Sequence, residues 1–233
     1  MILYYHSIPA ESRERFAGQM DKVVTLTRPI KVDAVPPLRP GLSYSAVTFD
    51  DAFDNVFDNA LPELVKRNIP ATVFVSPGLL GQPAAWWPMG ARERQEKIST
   101  AERLKQLPAD LITIGSHTLT HPKLPTLGAA EAERELSLSK AQLEDMLKRK
   151  VSIFSFPYGA FDKNLVGLCQ NVGYERVFTT LPLLAFREPA EFVTGRVGVE
   201  PTDWGFEFYL KLVGAYRWLP YAFSIKRLIL GKT

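Results

Sequence analysis

The sequence predicts an α/β barrel, and three observations carry that expectation. Short β-rich runs alternate with helix-patterned stretches at least six times, the arrangement of βα units around a parallel sheet. The 233 residues suit one large domain of this kind, and 46% apolar residues are enough for its core. Side chains able to do chemistry fall just past the ends of the predicted strands, where parallel α/β folds gather their functional groups.

Taken in order, Met1-Ile2-Leu3-Tyr4-Tyr5 is the opening strand and runs into His6. The Pro-rich run 28–41 reads as a connecting loop. The strand 46–49 ends at Asp50-Asp51. Val56, Phe57, Ala60, Leu61, Leu64 and Val65 then recur at helical spacing. Pro62 starts the second part of that helix, where a missing N–H does no harm. A strand at 71–75 leads into a loop rich in Pro, Gly and Trp, and the next strand is 111–114. A long helix is expected over 128–148, with Leu136, Leu143 and Leu147 on one face. Strand 152–156, helix 162–172 and strand 177–179 follow, and 192–194 with 197–199 suggest a further strand.

Composition excludes several classes. A net charge of +3 is too weak to argue for a nucleic-acid partner. No run of eighteen apolar residues exists to span a membrane. The N-terminus lacks the parts of a signal peptide, so a cytoplasmic protein is expected. The single cysteine, Cys169, excludes an internal disulfide and a thiolate metal cluster, and reads as a buried small hydrophobe.

Residues 1–202 read as the catalytic domain and 203–233 as a helical, basic-aromatic extension of it. Lys211, Arg217, Lys226, Arg227 and Lys232 against Asp203 and Glu207 put the whole charge excess in that extension. Phe208, Tyr209, Leu212, Val213 and Tyr216 mark an apolar face there. It either packs on the barrel or makes a peripheral contact with a membrane surface at the inner face.

All three histidines sit where chemistry would use them. His117 and His121 are four residues apart, a spacing that puts two rings on one face of a helical turn. Such pairs also occur as surface or core residues. Two imidazoles and a carboxylate make a three-ligand metal site with room for water, while a second carboxylate and a spare histidine suit base and acid. Asp50-Asp51 could equally cap the next helix, but adjacent residues point in different directions and can divide the labour. Phe154-Ser155-Phe156-Pro157-Tyr158-Gly159 reads as a strand and a turn, or as a stiff turn that aims an N–H at a substrate oxygen.

Together these motifs resemble the polysaccharide deacetylase family, the NodB-homology or carbohydrate esterase family 4 enzymes. Thr48-Phe49-Asp50-Asp51 is similar to its first motif, His117-Thr118-Leu119-Thr120-His121 to its metal motif, and Ser155-Phe156-Pro157-Tyr158-Gly159 to its third. The segment 69–75 has the look of the strand that follows the first motif. The resemblance covers about residues 1–200. It implies a deformed (β/α) barrel, a divalent metal and removal of acetyl groups from an N-acetylated saccharide. It also implies that Asp51, His117 and His121 bind the metal and that Asp50 is the base. The family's late Leu-x-His acid motif is absent. Tyr5-His6 fits the N-terminal Tyr-His of members resembling the poly-N-acetylglucosamine deacetylases, which makes His6 the acid.

Two further positions depart from the pattern. Ala52 stands where a glycine usually follows the Asp pair. Ser155 stands where an arginine usually orients the base, and Arg196 is the candidate to replace it. On this reading the Tyr158 N–H and the metal stabilise the oxyanion. Zn²⁺ is the expected ion, and Co²⁺, Ni²⁺ and Mn²⁺ suit the same ligands. Two other classes use the same residues: a hydrolase of a small cyclic ureide or imide, and a non-catalytic saccharide-binding module.

Overall fold

A computed structural model of the chain describes residues 1–33, 37–186 and 191–218. Among the described residues there are nine parallel strands: β1 (Ile2–Tyr5), β2 (Arg28–Pro29), β3 (Tyr44–Phe49), β4 (Ala71–Val75), β5 (Ile112–Ser116), β6 (Ile153–Ser155), β7 (Arg176–Phe178), β8 (Val193–Thr194) and β9 (Val197–Gly198). They run in the order β8-β7-β6-β5-β4-β3-β1-β9, with β2 added alongside β3. Helices α1 (Arg13–Leu26), α2 (Leu61–Arg67), α3 (Ala101–Lys105), α4 (Ala129–Leu147), α5 (Lys163–Val172) and α6 (Gly205–Leu212) complete the fold.

The two edges of the sheet meet on one stretch of chain. Val193 and Thr194 pair with Val177 and Phe178, whereas Val197 and Gly198 pair with Leu3 and Tyr4. Only Gly195 and Arg196 separate the two pairings, so the sheet curls into a deformed (β/α) barrel closed by two-residue strands. Gly195 is required there: a Cβ would lie 2.4 Å from the Leu181 carbonyl oxygen.

Strand side chains alternate between two faces. Ile2, Ala46, Phe74, Ile153 and Phe178, from five strands, form one buried cluster and therefore point into the barrel. Two residues further along their strands the inward set turns polar, with Tyr4, Thr48 and Ser155. The opposite face carries Leu3, Tyr5, Val47, Phe49, Val73, Val75, Ile112 and Ile114. It packs in one core with Phe16, Met20 and Val23 of α1, Leu64 of α2 and Leu143 of α4. The barrel thus has an apolar floor and a polar mouth at the strand C-termini.

Most expected elements are present within one or two residues at each end. Three departures are larger, and one is helix α3, which falls between the strands expected at 71–75 and 111–114, where only a loop is expected. Helix α1 lies in 7–27, where the sequence reading has no element; Phe16, Met20 and Val23 are its buried stripe. Residues 28–41 are not all loop, because Arg28 and Pro29 pair with Tyr44 and Ser45. The helix expected after β3 begins with a turn of π-helix, Val56–Ala60, before Pro62 enters at the start of α2.

In α6, Phe208 and Leu212 are buried in the same core as α1. Tyr209 and Val213, placed on the same face by the sequence reading, are exposed instead, as are Trp204, Phe206 and Trp218. The features expected at 219–233 lie outside the described residues. Among the described residues no helix is long and apolar enough to cross a membrane. Cys169 is fully buried, and burial pushes its thiol up to about 12.

Candidate active site

The site forms where four strand ends converge. Asp50 follows β3 directly and its N–H donates to the Tyr5 carbonyl at 2.9 Å, which keeps it in the inward-pointing series after Thr48. Asp51 and Ala52 then adopt left-handed backbone, φ 69° and 55°. That reversal turns Asp51 away from its neighbour. A left-handed alanine carries strain of about 1–2 kcal/mol that a glycine would not.

Arg196, at the barrel seam, is fully buried beside Asp50. Its Nη1 and Nη2 donate to Asp50 Oδ1 at 2.7 Å and Oδ2 at 2.8 Å. It also donates to Thr48 Oγ1 at 3.0 Å and Ser155 Oγ at 2.7 Å. The rings of Tyr4, Phe74 and Phe178 surround its guanidinium at 4.8, 5.1 and 6.0 Å. Arg196 therefore reaches the same carboxylate that an arginine at 155 would serve, and Ser155 hydrogen-bonds to it. Burial raises the Asp50 pKa, but Arg196, then His117 and His6, outweigh it and hold the carboxyl well below the usual carboxylate range.

His117 and His121 are not on a helical turn. The segment after β5 is a loop in which Thr118 and His121 have φ of 66° and 59°. The pair meets because the loop is held from several sides. Glu135 of α4 accepts the N–H groups of Leu119 at 2.8 Å and Thr120 at 2.9 Å, and the Thr120 hydroxyl at 2.7 Å. Thr118 Oγ1 accepts the His121 N–H at 3.0 Å, and the Ser76 hydroxyl donates to the His117 carbonyl at 2.7 Å. Gly78 admits the loop, since a Cβ there would lie 2.7 Å from the Leu119 oxygen.

His117 Nδ1 is 2.7 Å from the Ser155 carbonyl, which can only accept, so Nδ1 carries the proton and Nε2 offers its lone pair. Burial pushes the His117 pKa down to about 4. Asp51 Oδ1 lies 3.2 Å from His121 Nε2 and 3.7 Å from His117 Nε2. One ligand atom from each of Asp51, His117 and His121 lies within 4.8 Å of the others. Asp51 Oδ1 and His121 Nδ1 are buried with no well-aligned hydrogen bond. A buried carboxylate oxygen without a donor is costly unless a cation meets it, so these residues fit a divalent metal.

His6, Asp50, Asp51, His117, His121 and Tyr158 all line one cleft of about 410 Å³. Tyr158 sits in a turn with φ 60°, is 54% exposed and meets the His121 ring edge-on at 4.9 Å. Its N–H has no hydrogen-bond partner among the described residues. Trp86 and Trp87, also in the lining, have no role in the sequence reading. Trp86 stacks on His121 at 4.4 Å, and the Trp87 indole N–H donates to Asp51 Oδ2 at 3.2 Å. Their only signal was an aromatic pair in a Pro/Gly-rich loop.

The polysaccharide deacetylase family profile matches residues 40–177. YxkH of Bacillus subtilis (strain 168) is 26% identical over 226 residues, covering 92% of this chain and 75% of that protein. The deacetylase PplD of Streptococcus pyogenes, solved with acetate, superposes with TM-score 0.74 at 19% identity, over 91% of this chain and 96% of that one. IcaB from Ammonifex degensii gives TM-score 0.74 at 23% identity, over 93% and 96%. The two structural likenesses establish the fold, and the match of the family profile over more than half of the sequence establishes that the chain belongs to the polysaccharide deacetylase family.

Proposed function

We propose that the protein is a metal-dependent hydrolase that removes N-acetyl groups from an N-acetylated sugar or polysaccharide precursor. The observation that supports this best is the buried, unpaired Asp51 Oδ1 facing two histidine Nε2 atoms, in one cleft with Asp50 and His6. Asp51, His117 and His121 would hold the ion, and this donor set suits Zn²⁺, with Co²⁺, Ni²⁺ and Mn²⁺ as alternatives. When bound, the metal supplies Lewis acidity that polarises an acetamide carbonyl and makes a water acidic enough to lose its proton near neutral pH.

The chain's own groups do the rest. Asp50, held as an anion by Arg196, accepts the proton of the attacking water. The forked guanidinium fixes the carboxylate plane and keeps Asp50 from rotating toward the ligand set. The free Tyr158 N–H is the donor for the developing oxyanion, a role that supplies roughly 3–4 kcal/mol. His6 meets the edges of Tyr4 at 5.6 Å and Trp87 at 5.1 Å. From there it gives a proton to the departing amine.

The test is acetate release from a panel of N-acetylhexosamine oligomers, run beside hydrolysis of small cyclic ureides and imides. Release from the saccharides alone is the expected outcome. Turnover of only the cyclic substrates would replace this reading with ureide or imide hydrolysis, and saccharide binding without release would replace it with a binding module.

A further inference from the structure

Of the two Asp51 carboxylate oxygens, Oδ1 makes the contacts with His121 Nε2 at 3.2 Å and His117 Nε2 at 3.7 Å. The other, Oδ2, takes the Trp87 indole N–H at 3.2 Å. The segment that carries Trp87 is itself tied down. Pro83 and Lys97 form an antiparallel bridge, as do Phe53 and Ile98. The Arg94 guanidinium donates to the Trp87 carbonyl at 2.6 Å and to the Ala85 carbonyl as well. Ala84 and Ile98 are fully buried in the main core. The indole is therefore presented from a fixed backbone, and its ring meets His6 edge-on at 5.1 Å.

We propose that Trp87 is a positioning residue that commits Asp51 to bind metal through Oδ1 alone. A carboxylate with both oxygens free can rotate or chelate through both. An N–H on Oδ2 removes that freedom and leaves a position open on the ion for water and substrate. Trp87 thereby sets metal affinity without touching the metal. The inference rests on the metal reading of Asp51, His117 and His121.

The experiment is a Zn²⁺ titration of chelated full-length protein, wild type against Trp87→Phe, which keeps a ring beside His6 but loses the N–H. Met89→Leu, at an exposed position of the same segment and outside the cleft, is the control for disturbance of the segment. The expected result is one site in all three proteins, weakened about 10–100-fold in Trp87→Phe and unchanged in Met89→Leu. At saturating Zn²⁺, Trp87→Phe should regain most of its acetate release. If Trp87→Phe is unstable, benzothienylalanine at 87, which exchanges the N–H for sulfur at constant shape, carries the same expectation. Wild-type affinity in either Trp87 variant overturns this inference alone. A wild-type protein that takes up no Zn²⁺ overturns the metal reading, and this inference with it.

Discussion

Asp50 and Asp51 are chain neighbours with different partners, an arginine for one and two histidines for the other. Two expectations follow at this scale. Asp50→Asn should keep stoichiometric metal by elemental analysis yet lose on the order of 10²–10⁴ in turnover, because only the chemical step needs the base. Loss of metal in Asp50→Asn but not in Asp51→Asn would exchange the two roles. The second expectation concerns acid. Burial holds His117 at about 4 rather than 6.5. Between those values the unfolded chain binds a proton that the folded chain does not, so stability is full above about 6.5 and falls as the pH drops through about 4. Urea denaturation of chelated protein should show a loss on the order of 3 kcal/mol across that window, at 1.36 kcal/mol per pKa unit. The slope should flatten in His117→Gln, and an equal slope in both would assign the acid sensitivity elsewhere. The ligand and base candidates were legible because each motif is local in sequence. Arg196 was legible only as a candidate, since its partner lies 146 positions away. Trp87 was not, because nothing local signals a hydrogen bond across 36 positions.

At the scale of elements, periodicity recovered what it measures. Strands β3 to β7 and helices α4 and α5 announce themselves through apolar runs and stripes. Helix α1 has the same 4-and-3 spacing in Phe16, Met20 and Val23, but lies between polar residues that dilute the pattern. The His117–His121 loop defeated the spacing argument for a physical reason. Positive φ at Thr118 and His121 breaks any helical turn, and side-chain caps from Glu135 and Thr118 replace the helix hydrogen bonds. Glu135→Ala should therefore weaken Zn²⁺ binding about 10–100-fold while sparing the fold, as measured by titration and circular dichroism. Unchanged affinity would mean that the loop holds its shape without α4. The end of the described chain offers a separate test. Trp204 and Phe206, 65% and 54% exposed, pack against each other at 5.5 Å, and Tyr209 stacks on Phe206. We propose that this aromatic cluster contributes to peripheral membrane contact. Co-sedimentation with anionic vesicles should be weaker for Trp204→Ser/Phe206→Ser than for the unaltered chain. Equal sedimentation, or none for either, would remove the cluster from that role.

Across the whole molecule, barrel closure and active-site assembly are one event. The segment Val193–Gly198 joins β7 to β1 and, in crossing, delivers Arg196 to Asp50. Strands two residues long carry almost no periodic signal, so the sequence pointed to a barrel by counting βα units without showing where it closes. On the proposed function, a single divalent ion held by Asp51, His117 and His121 is required for deacetylation. The most direct test of that requirement is the titration of chelated enzyme with Zn²⁺ while acetate release from an N-acetylhexosamine oligomer is followed. The expected result is no release without metal and a linear rise that breaks at one equivalent. Undiminished release in the chelated enzyme, or none with Zn²⁺, Co²⁺, Ni²⁺ or Mn²⁺, would contradict it.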